Sequence, residues 1–143
     1  MTSKLFSGTP SQNKQLAAQF VLRVLSGAMK AELVKDEATG SGIDMRVGIQ
    51  TDQLGLVHVT CGSSPDPNAK IWGWDPKHLA ECVNIHHVAF VWPTRDDKIV
   101  VAILARDQAL TLAQKNKGNY SKTELLNHAI GFYPVSADGL IKA

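Results

Sequence analysis

The sequence predicts an α/β protein with a mixed central sheet, and three observations lead to this prediction. An amphipathic helical segment comes first, and alternating apolar residues follow over residues 43–49 and 56–61. A shorter helical segment then separates these strands from two apolar strands at 85–92 and 99–104. With 143 residues, 44% of them hydrophobic and 20% charged, the chain is expected to form a single globular domain spanning 1–143.

The first helix begins at a capping sequence. Thr9 can act as the N-cap, Pro10 suits the first helical position, and Gln12 stands where a capping box has Glu or Gln. Apolar residues then recur at a spacing of four, which indicates one buried face: Leu16, Ala17, Phe20, Val21, Val24, Leu25, Ala28 and Met29. Gly27 marks the end of this helix, and residues 31–34 are predicted to form a short strand.

Two strands joined by a polar turn at residues 51–54 are predicted to form a hairpin. Because side chains alternate along a strand, His58 and Thr60 share one face of the second strand. Val57, Val59 and Cys61 lie on the opposite face. The adjacent histidines His86 and His87 should likewise point in opposite directions, so they cannot jointly bind one metal ion.

The second half of the chain is predicted to contain three helices. Asp75 caps the first, which ends near Asn84 and serves as a right-handed crossover that makes strands 56–61 and 85–92 parallel. Asp107 is expected to cap the next helix. A capping box at residues 121–124 predicts a last helix that carries Leu125, Leu126, Ala129 and Ile130 and ends at Gly131.

Charge and composition narrow the classes of function only slightly. The formal net charge of +2 permits a nucleic-acid partner without requiring one. The longest apolar run is too short to cross a membrane. The two cysteines, Cys61 and Cys82, and the lack of a secretory segment predict reduced thiols in a cytoplasmic protein.

Two short motifs lie on the predicted hairpin and carry a resemblance. The first is Gly42-Ile43-Asp44 at the start of one strand, and the second is Val57-His58-Val59-Thr60 on the next, followed by the small residues 61–64. Together with the helix–strand–strand–strand–helix–strand order over residues 10–105, they resemble the core of the restriction-endonuclease-like (PD-(D/E)xK) superfamily. The resemblance therefore implies an α-β-β-β-α-β core with a mixed central sheet, to which C-terminal helices are added.

The resemblance implies a metal-dependent site whose motif is degenerate in this chain. In that family two carboxylates hold Mg²⁺, and a lysine helps to stabilise charge on the phosphate. Asp44 matches one carboxylate, but His58 stands at the second carboxylate position and Thr60 at the lysine position. The implied catalytic residues are thus Asp44, His58 and Thr60, with Asp44 as the metal ligand and Mg²⁺ as the cofactor if the site is active.

Three functions follow as hypotheses. The first, implied by the resemblance, is a catalytically degenerate nuclease-like domain that acts as a binding or interaction protein, with DNA or RNA as its partner, in a mobile element or defence system. The second is an active metal-dependent nuclease that uses Asp44 and His58 with a carboxylate from Glu32 or Glu37. The third is a small-molecule-binding protein with an apolar pocket near Trp72 and Trp74.

Each candidate residue also has an ordinary structural interpretation. Asp44 can be a solvated strand residue, and His58 a neutral, half-buried one. Trp72 and Trp74 can stack on bases or flat ligands, but they can equally cover the edge of the core or join subunits of a homo-oligomer. Lys115, Lys117 and Lys122 form a predicted basic loop that either touches phosphates or simply connects two helices.

Overall fold

The computed structural model describes residues 8–35, 47–72, 85–117 and 119–134, which build an α/β fold around a six-stranded mixed sheet. Its elements are α1 (Pro10–Ser26), β1 (Ala31–Lys35), β2 (Val47–Thr51), β3 (Gly55–Cys61), β4 (Ile71–Trp72), β5 (His87–Pro93), β6 (Lys98–Ala105), α2 (Arg106–Asn116), β7 (Asn119–Tyr120), α3 (Lys122–Leu125) and β8 (Ala129–Pro134). A 3₁₀ turn, Leu126–His128, joins α3 to β8. Among the described residues, no helix has the length and apolar character needed to cross a bilayer.

The six strands of the sheet lie in the order β1-β2-β3-β5-β6-β8, and β4 pairs separately with β7. Strand β3 runs parallel to β5, and the other neighbours in the sheet are antiparallel. The predicted mixed sheet, the hairpin and the parallel pairing across the connection to β5 are therefore confirmed. The helix predicted between Asp75 and Asn84 lies outside the described residues.

Helix α1 begins where the capping sequence predicts. The hydroxyl of Thr9 accepts a hydrogen bond from the backbone N–H of Gln12 (3.2 Å), and the side-chain oxygen of Gln12 accepts one from the N–H of Thr9 (3.0 Å). Two N–H groups that lack partners within the helix are thereby satisfied. Gly27 is the C-cap, as predicted.

Each face of the sheet carries its own apolar cluster. The buried face of α1 packs on the first face, against the strand residues Ile49, Val57, Val59, Ala89, Val91, Ile99 and Val101. The second face is covered by α2, α3, β4 and β7, and its strand residues are Val88, Phe90, Trp92, Val100, Ala102 and Leu104. Strands covered on both faces explain why β5 and β6 read as nearly continuous apolar runs.

The last helix predicted from the sequence begins as expected after Ser121, but its predicted extent to Gly131 is wrong. Helix α3 ends at Leu125, and Ala129, Ile130 and Gly131 belong to strand β8, which pairs with β6. Pairing with β8 satisfies the backbone groups along the outer side of β6, a strand too apolar to leave uncovered. Tertiary pairing thus overrides the local helical pattern.

The capping box predicted at residues 121–124 does not form, although Ser121 is the N-cap of α3, and Asp107 does not cap α2. Ser121 makes no side-chain cap hydrogen bond, and the carboxylate of Glu124 instead accepts from Nζ of Lys115 (3.0 Å) and Nδ2 of Asn116 (3.3 Å). The N-cap of α2 is Ala105 rather than Asp107, which lies in the first turn. An acidic residue there still interacts favourably with the helix dipole.

Candidate functional site

The residues that the nuclease resemblance singles out do not form a described cluster. Asp44 lies outside the described residues. His58 and Thr60 share one face of β3, as predicted, but this face packs on the second apolar cluster, and the two residues are only 2% and 6% exposed. At this burial, neither side chain presents a surface that a polymeric substrate can reach.

Three of the four other predicted binding residues lie in the described part of the chain, and strand pairing places Trp72 opposite Asn119, two positions after Lys117. Trp72 is the second residue of β4, whereas Trp74 lies outside the described residues. Lys115 lies in the last turn of α2, where it forms an ion pair of 3.0 Å with Glu124. Lys117 follows as the exposed C-cap, with a left-handed backbone (φ 54°). The hydrogen bond from Lys115, with lesser contributions from Asn116 and the charge of Lys70, lowers the pKa of Glu124.

Metal and thiol chemistry find no support in the described part of the chain. Within it, no group of three His, Cys, Asp or Glu residues is placed to hold a metal ion. Cys61 is a free thiol that packs beside the first apolar cluster. Burial raises its pKa to about 12, against a smaller opposing effect of the Lys14 charge, so the thiolate that nucleophilic chemistry needs is disfavoured.

A cavity of about 490 Å³ opens beside the first face of the sheet, at the C-terminal end of α1. Its apolar lining residues are Val24, Leu25, Ala28, Met29, Leu54, Ile103, Ala105 and Ile130. Its polar lining residues are His87, Gln108 and Tyr133. We call this cavity the His87 pocket, and none of these eleven residues carries a formal charge when the imidazole is neutral.

Chain segments far apart in sequence form the walls of the His87 pocket. The last turn of α1 forms one side, and the turn between β2 and β3 brings in Leu54. The first residue of β5, His87, stands opposite the last residue of β6, Ala105, because these two residues are register partners. Strand β8, the element that the sequence pattern misassigned, completes the pocket with Ile130 and Tyr133.

The hydrogen bond between His87 and the Leu54 carbonyl determines the tautomer of the neutral imidazole ring. Nδ1 lies 2.7 Å from the carbonyl oxygen of Leu54. Because a carbonyl can only accept, Nδ1 must carry the hydrogen, and in the neutral ring Nε2 is then a hydrogen-bond acceptor. A ligand group that meets the neutral ring at Nε2 would therefore have to donate the hydrogen bond.

The neighbouring His86 uses the opposite tautomer. Its Nδ1 accepts a hydrogen bond of 3.1 Å from the backbone N–H of Leu56, so the hydrogen of the neutral ring lies on Nε2. Gly55 permits this approach, because its φ of 69° is left-handed and a Cβ there would lie 2.5 Å from Nδ1 of His86. The two histidines therefore bond to different backbone atoms, and both hold the β2–β3 turn against the start of β5.

Gln108 and Tyr133 supply the other polar atoms of the pocket. The side-chain oxygen of Gln108 accepts from the N–H of Ala105 (2.9 Å), which leaves its NH₂ group as a donor. The ring of Tyr133 packs edge-on against Phe20 at 5.3 Å, and burial raises the pKa of its phenol, so it stays a donor. A Cβ on Gly131 would lie 2.5 Å from the Tyr133 hydroxyl oxygen, so only glycine leaves the ring its present place.

Sequence reasoning missed this pocket because no single segment contains it. The only local signal is the pair His86-His87 at the start of an apolar strand, a pattern that first suggests metal binding. Protein-family models, curated protein sequences and solved structures were each compared with the chain, and none matches. The likeness to restriction-endonuclease-like nucleases therefore rests on the sequence motifs and the order of elements.

Proposed function

We propose that this protein binds a small, largely apolar molecule in the His87 pocket. The observation that carries this proposal is the cavity of about 490 Å³, which eight apolar and three polar side chains line. Small-molecule sites usually have volumes of about 300–1,000 Å³ and apolar walls with a few fixed polar groups. The third hypothesis from the sequence thus moves from the neighbourhood of Trp72 and Trp74 to the end of α1.

The polar groups of the pocket support binding. His87 is fixed through Leu54, and Gln108 through Ala105, so two of the polar side chains are oriented before a ligand arrives. Orientation in advance reduces the entropy lost on binding.

The expected affinity can be stated for a neutral fluorescent probe, N-phenyl-1-naphthylamine. With about 17 heavy atoms and about 0.3 kcal/mol per atom, its binding free energy is about −5 kcal/mol. This corresponds to a dissociation constant of about 0.2 mM. The probe should become brighter on transfer from water into the apolar pocket, and titration of the full chain measures this directly.

A matched pair of variants tests whether the probe occupies this pocket. Ala28 lines the pocket just beyond the end of α1, whereas Ser26, the last residue of α1, is exposed and does not line it. Ala28→Phe places a ring in the cavity and should abolish saturable binding, while Ser26→Phe should bind as the wild type does. Equal binding by both variants, or no saturable binding by the wild type, contradicts the proposal.

Nucleic-acid binding by a degenerate nuclease-like domain is our second candidate. Its finer architecture, a restriction-endonuclease-like core, is supported by α1 followed by the antiparallel β1–β2–β3 unit and by β5 parallel to β3. Lys70 and Lys115 lie near Glu124, and Lys117 is exposed at the end of α2; together they leave local positive charge that phosphates can contact. A gel shift with plasmid DNA or RNA that weakens with salt supports this candidate, and its absence at low salt contradicts it.

The active-nuclease alternative is tested with the same nucleic acids. Incubation in Mg²⁺ or Mn²⁺ beside Asp44→Ala separates cutting by this chain from contamination, because only cutting that depends on Asp44 supports a site built on that carboxylate. Cutting that persists in the variant excludes the site.

A further inference from the structure

The polar side chains at one end of the His87 pocket restrict which chemical groups of a ligand can bind there. Nδ1 of His87 donates to the carbonyl oxygen of Leu54 at 2.7 Å, so Nε2 of the neutral ring accepts. A ligand group that meets Nε2 must therefore offer a hydrogen. A ketone, an ether or an aldehyde has none to offer and would leave this nitrogen without a partner.

A donor lies at the same end of the pocket. Ala105 is the register partner of His87, and its N–H is bound by the side-chain oxygen of Gln108 at 2.9 Å. That oxygen is occupied, and the other group of the Gln108 amide, its NH₂, can only donate. This end of the pocket thus presents one acceptor and one donor, held by adjacent strand ends.

A single hydroxyl group satisfies both. A hydroxyl donates its hydrogen to Nε2 of His87 and accepts on its oxygen from Gln108. An anionic group is disfavoured, because none of the lining residues is a lysine or an arginine that would balance its charge after loss of water. The remaining lining residues that a ligand would touch are mainly apolar.

We propose that the ligand is a neutral alcohol or phenol whose apolar body fills the His87 pocket and whose hydroxyl donates to Nε2 of His87. This inference rests on the proposed ligand-binding function and deepens it, since it names the chemical class. His87 is the specificity-determining residue, and the Leu54 carbonyl determines its tautomer.

The test compares three probes of similar shape: 2-naphthol, 2-methoxynaphthalene and naphthalene. The wild type should bind 2-naphthol about three- to tenfold more tightly than the methyl ether, the range that one additional hydrogen bond typically contributes. In His87→Leu the preference should disappear while naphthalene still binds. His87→Gln, which retains a donor for Leu54 and an acceptor for the ligand, should restore part of the preference.

A measurement on the wild type alone makes the test independent of whether these variants fold. In protein labelled with ¹⁵N-histidine, 2-naphthol should move the Nε2 resonance of His87 and leave its Nδ1 resonance nearly unchanged, whereas the methyl ether should move neither. Equal affinity for the naphthol and its ether, with no shift at Nε2, overturns the assignment of the ligand class and leaves the binding function standing. Failure of all three probes and of N-phenyl-1-naphthylamine to bind overturns both.

Discussion

Lys122 donates a hydrogen bond of 2.7 Å to the backbone carbonyl of Asp66, which lies 56 positions earlier in the chain. A second bond of 2.7 Å reaches the carbonyl of Ser64. Lys122 is only 3% exposed, and burial lowers its pKa, with a smaller opposing effect of the Asp66 charge. The ammonium group therefore fastens the loop after β3 to the start of α3.

Replacement of Lys122 should weaken the fold. Lys122→Met keeps the apolar stem but leaves two carbonyls without their donor, so the free energy of unfolding should fall by about 1–3 kcal/mol. Urea denaturation measures this change. Lys98→Met removes an exposed lysine that pairs with Asp96 at 3.6 Å, and it should change stability by less than about 1 kcal/mol. Equal stabilities of the two variants would contradict the role assigned to Lys122.

The β2–β3 turn should depend on Gly55. Gly55→Ala places a Cβ in a left-handed conformation (φ 69°) and against the ring of His86, so we expect a loss of about 1–2 kcal/mol or more from backbone strain. Gly27→Ala is the matched control, since its φ is −72° and its nearest contact is 3.5 Å. The control should be neutral or more stable by up to about 1 kcal/mol. Thermal unfolding that ranks the two variants the other way would refute this account.

The position of Tyr133 should control the shape of the His87 pocket. Gly131→Ala forces the Tyr133 ring away from its present place, and we expect the affinity for N-phenyl-1-naphthylamine to change by about threefold or more. Phe132 lies on the same strand, is 56% exposed and pairs with Val100 of the second face. Phe132→Ala should therefore leave the affinity as it is, and a parallel change in both variants would count against the described pocket.

The buried thiol of Cys61 predicts a loss of stability at alkaline pH. Because burial raises its folded pKa from 9.0 to about 12, the folded state keeps its proton over a range in which the unfolded state releases it. The contribution of Cys61 is thus fully present below pH 9.0 and is lost as the pH rises toward 12, with a slope of at most about 1.4 kcal/mol per pH unit. In urea denaturation between about pH 8 and 10.5, stability should fall less steeply for Cys61→Ala than for the wild type.

The comparison isolates the Cys61 thiol, because the other titrating groups are the same in Cys61→Ala and in the wild type. Tyr120, whose pKa burial raises to about 12, contributes a decline that begins near pH 10.0 in each. Superimposable pH profiles of Cys61→Ala and the wild type would show that the thiol is not desolvated as described.

The elements that the sequence predicted well are those with strong local signals. The capping box of Thr9 and Gln12 fixes the start of α1 through contacts within one turn. Strict alternation places His58 and Thr60 on one face of β3 because the period of a strand leaves no other choice. The alternation does not show which of the two faces is exposed to solvent. The face that carries His58 and Thr60, predicted to hold the active site, is buried.

By itself, the sequence determined the α/β class, the start of α1, the hairpin and the faces of β3, because each depends on residues a few positions apart. Only the tertiary structure decided that residues 129–134 form a strand and that His87, Gln108 and Tyr133 line one cavity. The physical reason is the same in both cases. The open side of β6 needs backbone partners, and β8 supplies them from a segment whose local pattern favours a helix. That pairing also brings Tyr133 to the end of α1 and completes a pocket that no single segment contains.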